Sequence, residues 1–125
     1  MIIDYLESGS DDCPLIRLKH GSHEDYNILI EAIKILMDNG KKVNLFSLEG
    51  INKGDNIKEL ILMIDEADSG TSEFSLHSFV CQFSKEHLLQ IIEKIENYKT
   101  AKENEYNWLN DELNISILLS YTGKW

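Results

Sequence analysis

Proline is almost missing from this chain: Pro14 is the single one among 125 residues. No proline-rich linker, repeat or low-complexity run divides the sequence. Cysteine is nearly as scarce. Cys13 and Cys81 stand far apart without CxxC spacing, which excludes a zinc framework of paired thiols and fits reduced thiols in a cytoplasmic protein. Long hydrophobic runs are lacking too. The longest, residues 60–64 (LILMI), falls far short of the roughly 20 residues that span a bilayer. The opening MIID has neither a basic segment nor an apolar stretch, so no signal peptide is expected. Glycine-rich phosphate loops are absent, since Gly50 and Gly54 fit neither nucleotide-binding fingerprint.

Positive charge is the last deficit. Twelve Lys and Arg face twenty-two Asp and Glu, for a net charge of −10. Such a surface repels nucleic-acid phosphates and anionic lipid heads, so neither nucleic acid nor membrane is an expected partner. It suits a basic protein, or simple solubility.

The chain does have enough apolar residues, 42%, for an ordinary folded domain. Its length fits one domain, residues 1–125, burying roughly two-thirds of what the unfolded chain exposes. Residues 2–6 are β-branched and aromatic and read as a strand. Ser8, Gly9, Ser10, Asp11 and Asp12 are expected to break it, with Pro14 at the first position of a second strand over residues 15–18. Ser22 and Asp25 form a capping-box pattern ahead of a helix. Tyr26, Leu29, Ile30, Ile33, Leu36 and Met37 make its apolar stripe, Ile28, Ala32 and Ile35 widen it, and Asn39-Gly40 ends it.

Residues 42–48 read as a strand, followed by a polar loop between Gly50 and Gly54. Residues 57–65 fit two patterns. Ile57, Leu60, Ile61 and Ile64 suit a helix, whereas Leu60, Leu62 and Ile64 suit strand alternation. The shortness of the run and its flanking loops favour the strand. An acidic turn follows, then one strand over residues 74–83. Ser84 caps a second helix with Leu88, Ile91, Ile92, Ile95 and Tyr98 on one face. A charged loop over residues 100–105 precedes a closing hairpin of residues 106–109 and 113–120 across Asn110-Asp111, and Thr122-Gly123 makes a last turn. The order ββαβββαβ predicts an α+β domain, with a mainly antiparallel sheet of about six strands and two helices on one face. The other face then needs polar residues or a partner.

The candidate chemistry is thin. A nucleophilic site would pair Cys13 with His20 or His23 as base and Asp12 as orienting group, but the ring of Pro14 confines Cys13 to extended geometry. A metal site would draw on His20, His23, His77, His87 and the cysteines, yet their spacing matches no zinc pattern. Residues 65–70 supply oxygens without the spacing of a calcium loop. Lys41, Lys42, Lys53 and Lys58 could gather, against the overall charge. No catalytic residue, metal or cofactor is assigned on these grounds. What remains is acidic recognition by three patches: Glu7 with Asp11 and Asp12; Asp65, Glu66, Asp68 and Glu73; and Glu103, Glu105, Asp111 and Glu112. Tyr106, Trp108, Tyr121 and Trp125 lie near the third and are the residue types that anchor interfaces, Trp108 being better suited to the core.

Two stretches, ESGSDDCPLIRL at residues 7–18 and YNWLNDELNISILLSYTGKW at the other end, resemble a group of small bacterial proteins with no assigned activity. In size, acidity and α+β order the chain is also similar to the immunity proteins of bacterial toxin systems. That resemblance implies a non-enzymatic cytoplasmic protein that binds a cognate toxin domain. With the charge, it points to a basic nuclease whose phosphate sites are filled by carboxylates. The alternatives are a small enzyme or metal-binding protein using Cys13 with His20 or His23, and a housekeeping interaction domain.

Overall fold

The computed structural model describes residues 1–10, 13–99, 106–110 and 115–120. Among these, nine strands and two helices form an α+β fold. The long first helix, α1 (His23–Asn39), begins and ends as its caps require. The Ser22 hydroxyl accepts from the Asp25 amide, and the Asp25 carboxylate accepts from the Ser22 amide. Gly40 adopts a left-handed backbone, φ 70°, and closes onto the Leu36 carbonyl. The second helix, α2 (Lys85–Tyr98), starts at Ser84, whose hydroxyl accepts from the His87 amide. The apolar stripes of both helices are buried, apart from half-buried Met37, Ile28 and Ile92 and exposed Ile35.

The strands are β1 (Ile2–Ser10), β2 (Cys13–Lys19), β3 (Val43–Asn44), β4 (Asn52–Lys53), β5 (Glu59–Ile64), β6 (Gly70–Ser75), β7 (Ser78–Phe83), β8 (Tyr106–Asn110) and β9 (Ser116–Ser120). They make two mixed sheets, not one mainly antiparallel sheet of six strands. The first runs β4-β1-β2-β9-β8 and the second β3-β5-β7-β6. Three pairings, β1 with β4, β2 with β9 and β5 with β7, are parallel. Parallel neighbours are joined through long stretches of chain, so local alternation carried no sign of them. Both helices face the same core: Leu29 and Ile33 of α1 and Leu88, Ile91 and Ile95 of α2 line one cavity with side chains of both sheets. They pack on each other, with Tyr26 and Tyr98 edge to face at 5.9 Å. One continuous core results, with Ile3, Ile16, Leu60, Phe79, Leu88 and Leu119 among its buried members.

Five local expectations change. β1 runs on through Ser10, and Pro14 is the second residue of β2, not its first. Proline has no N–H to donate to a ladder, and the β1–β2 register accordingly shifts by two between Leu6↔Leu15 and Ser10↔Cys13, opposite Pro14. Residues 42–48 are not one strand. The Asn44 side chain accepts from the Phe46 amide, the Ser47 hydroxyl donates to the Asn44 carbonyl, and residues 45–47 wind into a 3-10 turn. The polar loop between Gly50 and Gly54 contains β4. Residues 74–83 are split by a turn at Leu76-His77, where His77 takes φ 61°. Residues 57–65 do hold a strand, β5, and residues 106–120 do contain an antiparallel pair, β8 with β9. The charged loop of residues 100–105 and the turn at Thr122-Gly123 lie outside the described residues.

Strand alternation gives each sheet two faces. The second face of the first sheet carries Asp4 opposite Arg17, Arg17 opposite Leu118, and Leu118 opposite Trp108. Leu15 and Leu118 are fully buried there, outside the main core. Asp4, 1% exposed, receives Arg17 through Nε at 3.2 Å and Nη2 at 2.9 Å, and Lys19 Nζ at 3.0 Å.

Candidate partner-binding surface

The second sheet turns Leu60, Leu62, Phe79, Cys81 and Phe83 into the core. By alternation its other face carries Ile61 beside Val80, Met63 beside Gln82, and Glu59 beside Ser78. Ile61, Met63 and Val80 are partly exposed and stand outside the main core. A parallel strand pair is ordinarily covered on both faces, so this apolar row lies on the open side of β5 and β7.

The edge of the same sheet is more exposed still. β6 pairs with β7 from Gly70↔Gln82 to Glu73↔Phe79, and then the register slips by one to Ser75↔Ser78. Phe74 is the extra residue, a β-bulge of the kind that re-aims a side chain at a sheet edge. Phe74 is 53% exposed, and Leu76 in the following turn 67%. Sequence alternation had placed both in a continuous strand. Their flanks held the contrary signal, since Ser72, Glu73, Ser75 and Ser78 leave Phe74 and Leu76 isolated among small polar residues.

The hairpin tip is held from several sides. The His77 amide donates to Glu73 Oε2 at 2.7 Å, and its carbonyl accepts from the Lys58 amide at 2.7 Å. The His77 ring lies 6.2 Å from that of Tyr5, which packs on Phe79 at 4.6 Å. Tyr5 therefore joins the two sheets beneath the tip. Its hydroxyl pKa is raised by burial first, then by the negative charges of Glu73 and Glu7. Glu7 and Glu73, drawn from two different sequence patches, thus both act on the Tyr5 hydroxyl.

The other acidic candidates divide. Asp65 holds its own turn, accepting from the Ala67 amide and from Gln82 Nε2. Asp68 accepts from the Ser84 amide at 2.9 Å and pairs with His87 Nδ1 at 2.9 Å, fastening the start of α2. Burial opposes ionisation of Asp68, but the Ser84 amide and His87 outweigh it and leave its pKa lowered. Glu66 is exposed on the same turn. Asp11, Asp12, Glu103, Glu105, Asp111 and Glu112 lie outside the described residues, as do Tyr121 and Trp125. Tyr106 and Trp108 belong to edge strand β8, with Trp108 half-buried.

Cys13 and His20 stand at opposite ends of a strand. Cys13 opens β2 and His20 follows its last residue, so about 20 Å of extended chain separates them at roughly 3.3 Å per residue. His23 lies beyond His20, at the start of α1. Cys81 is fully buried, with its thiol pushed up to about 12 by burial while the Thr71 hydroxyl donates to Sγ at 3.3 Å. The thiolate that nucleophilic attack requires is strongly disfavoured there. Cys81 also borders a wholly apolar core cavity of about 30 Å³, among Leu18, Leu62 and Ile91. Among the described residues no three His, Cys, Asp or Glu side chains converge as a metal site, and no helix is long and apolar enough to cross a membrane. Compared with protein-family models, curated proteins and solved structures, the chain matches none significantly.

Proposed function

We propose that this chain is a non-enzymatic immunity protein of the cytoplasm that binds and neutralises a basic bacterial toxin domain, a nuclease in the first instance. The observation carrying this reading is the β6–β7 hairpin. It presents Phe74 and Leu76 to solvent beside exposed Glu73, in a chain of net charge −10. Apolar anchors ringed by charge supply affinity at the centre and steering at the rim. Glu7, Glu66 and Glu73 would take the positions that substrate phosphates hold on the toxin.

The test is co-expression with the toxin domain encoded beside this gene. The expected result is survival of the cells and a complex that weakens about tenfold or more between low and high salt, as screened charge pairs should. Cells that die, with no complex recovered at low salt, would overturn the reading. A housekeeping partner would use the same hairpin without conferring survival, which separates that alternative.

A further inference from the structure

We infer that the partner is bound by strand addition: an extended segment bearing alternating basic and apolar side chains pairs its backbone with the free edge of β6. This deepens the reading of the hairpin as the contact surface and rests on it. β6 is terminal in its sheet, paired with β7 on one side and with no described strand on the other. Residues 72–76 are exposed in unbroken succession, so no described residue covers that part of the edge. The outward peptide groups of such a strand are a ready template for another chain.

The side chains select the occupant. Over residues 70–73 the β6 ladder is regular, and the bulge then sets Phe74 ahead of Leu76. Gly70 and Thr71 are buried, so an incoming strand reaches only residues 72–75, where Glu73 stands beside Phe74 and ahead of Leu76. A second copy of this chain is the wrong occupant. Self-pairing of β6 would bring together two bodies of charge −10 each, and like net charges oppose association. A basic segment reverses that sign. The edge is also ready-made, because Glu73, Lys58 and Tyr5 already fix the tip at His77, so little ordering is left to the moment of binding.

The probe is a capped ten-residue peptide of alternating lysine and valine, added to the intact chain and followed by residue-resolved amide hydrogen exchange. The expected result is at least tenfold slower exchange at outward amides of β6. Two peptides should give no such protection: one with glutamate for lysine, and one with the original side chains N-methylated at every residue. Glu73→Gln keeps the acceptor for the His77 amide while removing the charge, and Phe74→Ser removes the anchor. Together they should weaken binding at least tenfold without changing the urea midpoint. No binding, binding with β6 exchange unchanged, or equal protection by the N-methylated peptide would overturn strand addition. So would β6 protection in the chain alone accompanied by dimer formation. Survival of toxin-expressing cells alongside any of those results leaves the immunity reading standing with a different contact. Strand addition without survival does the reverse.

Discussion

Replacing Asp4 with asparagine removes a buried charge that pairs with two cations on the second face of the first sheet. The carboxylate is buried, gripped by Arg17 through two nitrogens and by Lys19 through one. Asparagine keeps the shape but turns an N–H₂ toward a guanidinium. Removing one partner of a buried ion pair costs about 3–5 kcal/mol. Here the side chains of Arg17 and Lys19 remain 12% and 20% exposed, so both regain some hydration. The expected loss is therefore about 2–3 kcal/mol, a fall in Tm of roughly 10 °C. Urea unfolding followed by far-UV circular dichroism should show a lower midpoint at unchanged slope. A double-mutant cycle with Arg17→Gln should show coupling of about 1 kcal/mol or more, since each change removes the same contact. An Asp4→Asn protein within about 0.5 kcal/mol of the wild type, or strict additivity with Arg17→Gln, would refute this account of the cluster.

Alkaline conditions should expose the buried thiol. Cys81 has its pKa raised to about 12 in the folded state, against about 8.5 unfolded. Below the unfolded value its contribution is intact, and above it the unfolded chain sheds a proton that the folded chain keeps. Stability is therefore expected to fall by about 1.4 kcal/mol per pH unit from this group between roughly pH 9 and 12, and Cys81→Ala should have a shallower alkaline limb in urea titrations. Native Cys81 should resist a thiol reagent until the chain opens, as read by mass spectrometry of the modified peptide. Asp68 carries the opposite sign: its lowered pKa adds stability above the unfolded carboxylate value that is lost as pH falls through the folded one. Asp68→Asn should flatten that acid limb and fray α2, at a cost of about 1 kcal/mol at neutral pH, visible as faster amide exchange at His87 and Leu88. Phe74→Ser and Leu76→Ser should leave the unfolding free energy from urea titration within about 0.5 kcal/mol of wild type, and a large drop would mean these side chains are structural.

Both helices were legible because each carries its own boundaries: Ser22 with Asp25 and Gly40 for one, Ser84 for the other, with apolar stripes between. Strand existence was mostly legible and strand partnership was not. Nothing local to residues 15–19 announces that they pair with residues 116–120. The turn at Leu76-His77 was hidden because it contains neither glycine, proline nor asparagine, and the left-handed geometry of His77 is sustained by Glu73 and Lys58 from outside the turn. The acidic patches were visible as composition. Their division into anchors such as Asp68 and solvent-facing groups such as Glu7 depends on packing, as does the burial of Asp4 between apolar neighbours Ile3 and Tyr5.

The parallel pairing of β2 with β9 also sets a schedule. β9 is an interior strand of its sheet, seated between β2 and β8, yet it lies about 100 residues after its partner. At roughly 5–20 residues per second of synthesis, β2 waits on the order of 5–20 s with one edge unpaired. Closing so distant a contact is entropically slow in refolding as well. The β1–β2 hairpin is thus the stretch most in need of shelter while the chain is young, and in pulsed hydrogen exchange the amides of β2 that face β9 should be protected later than those within α1. Early protection of those amides would mean that the first sheet closes before its distant strand arrives.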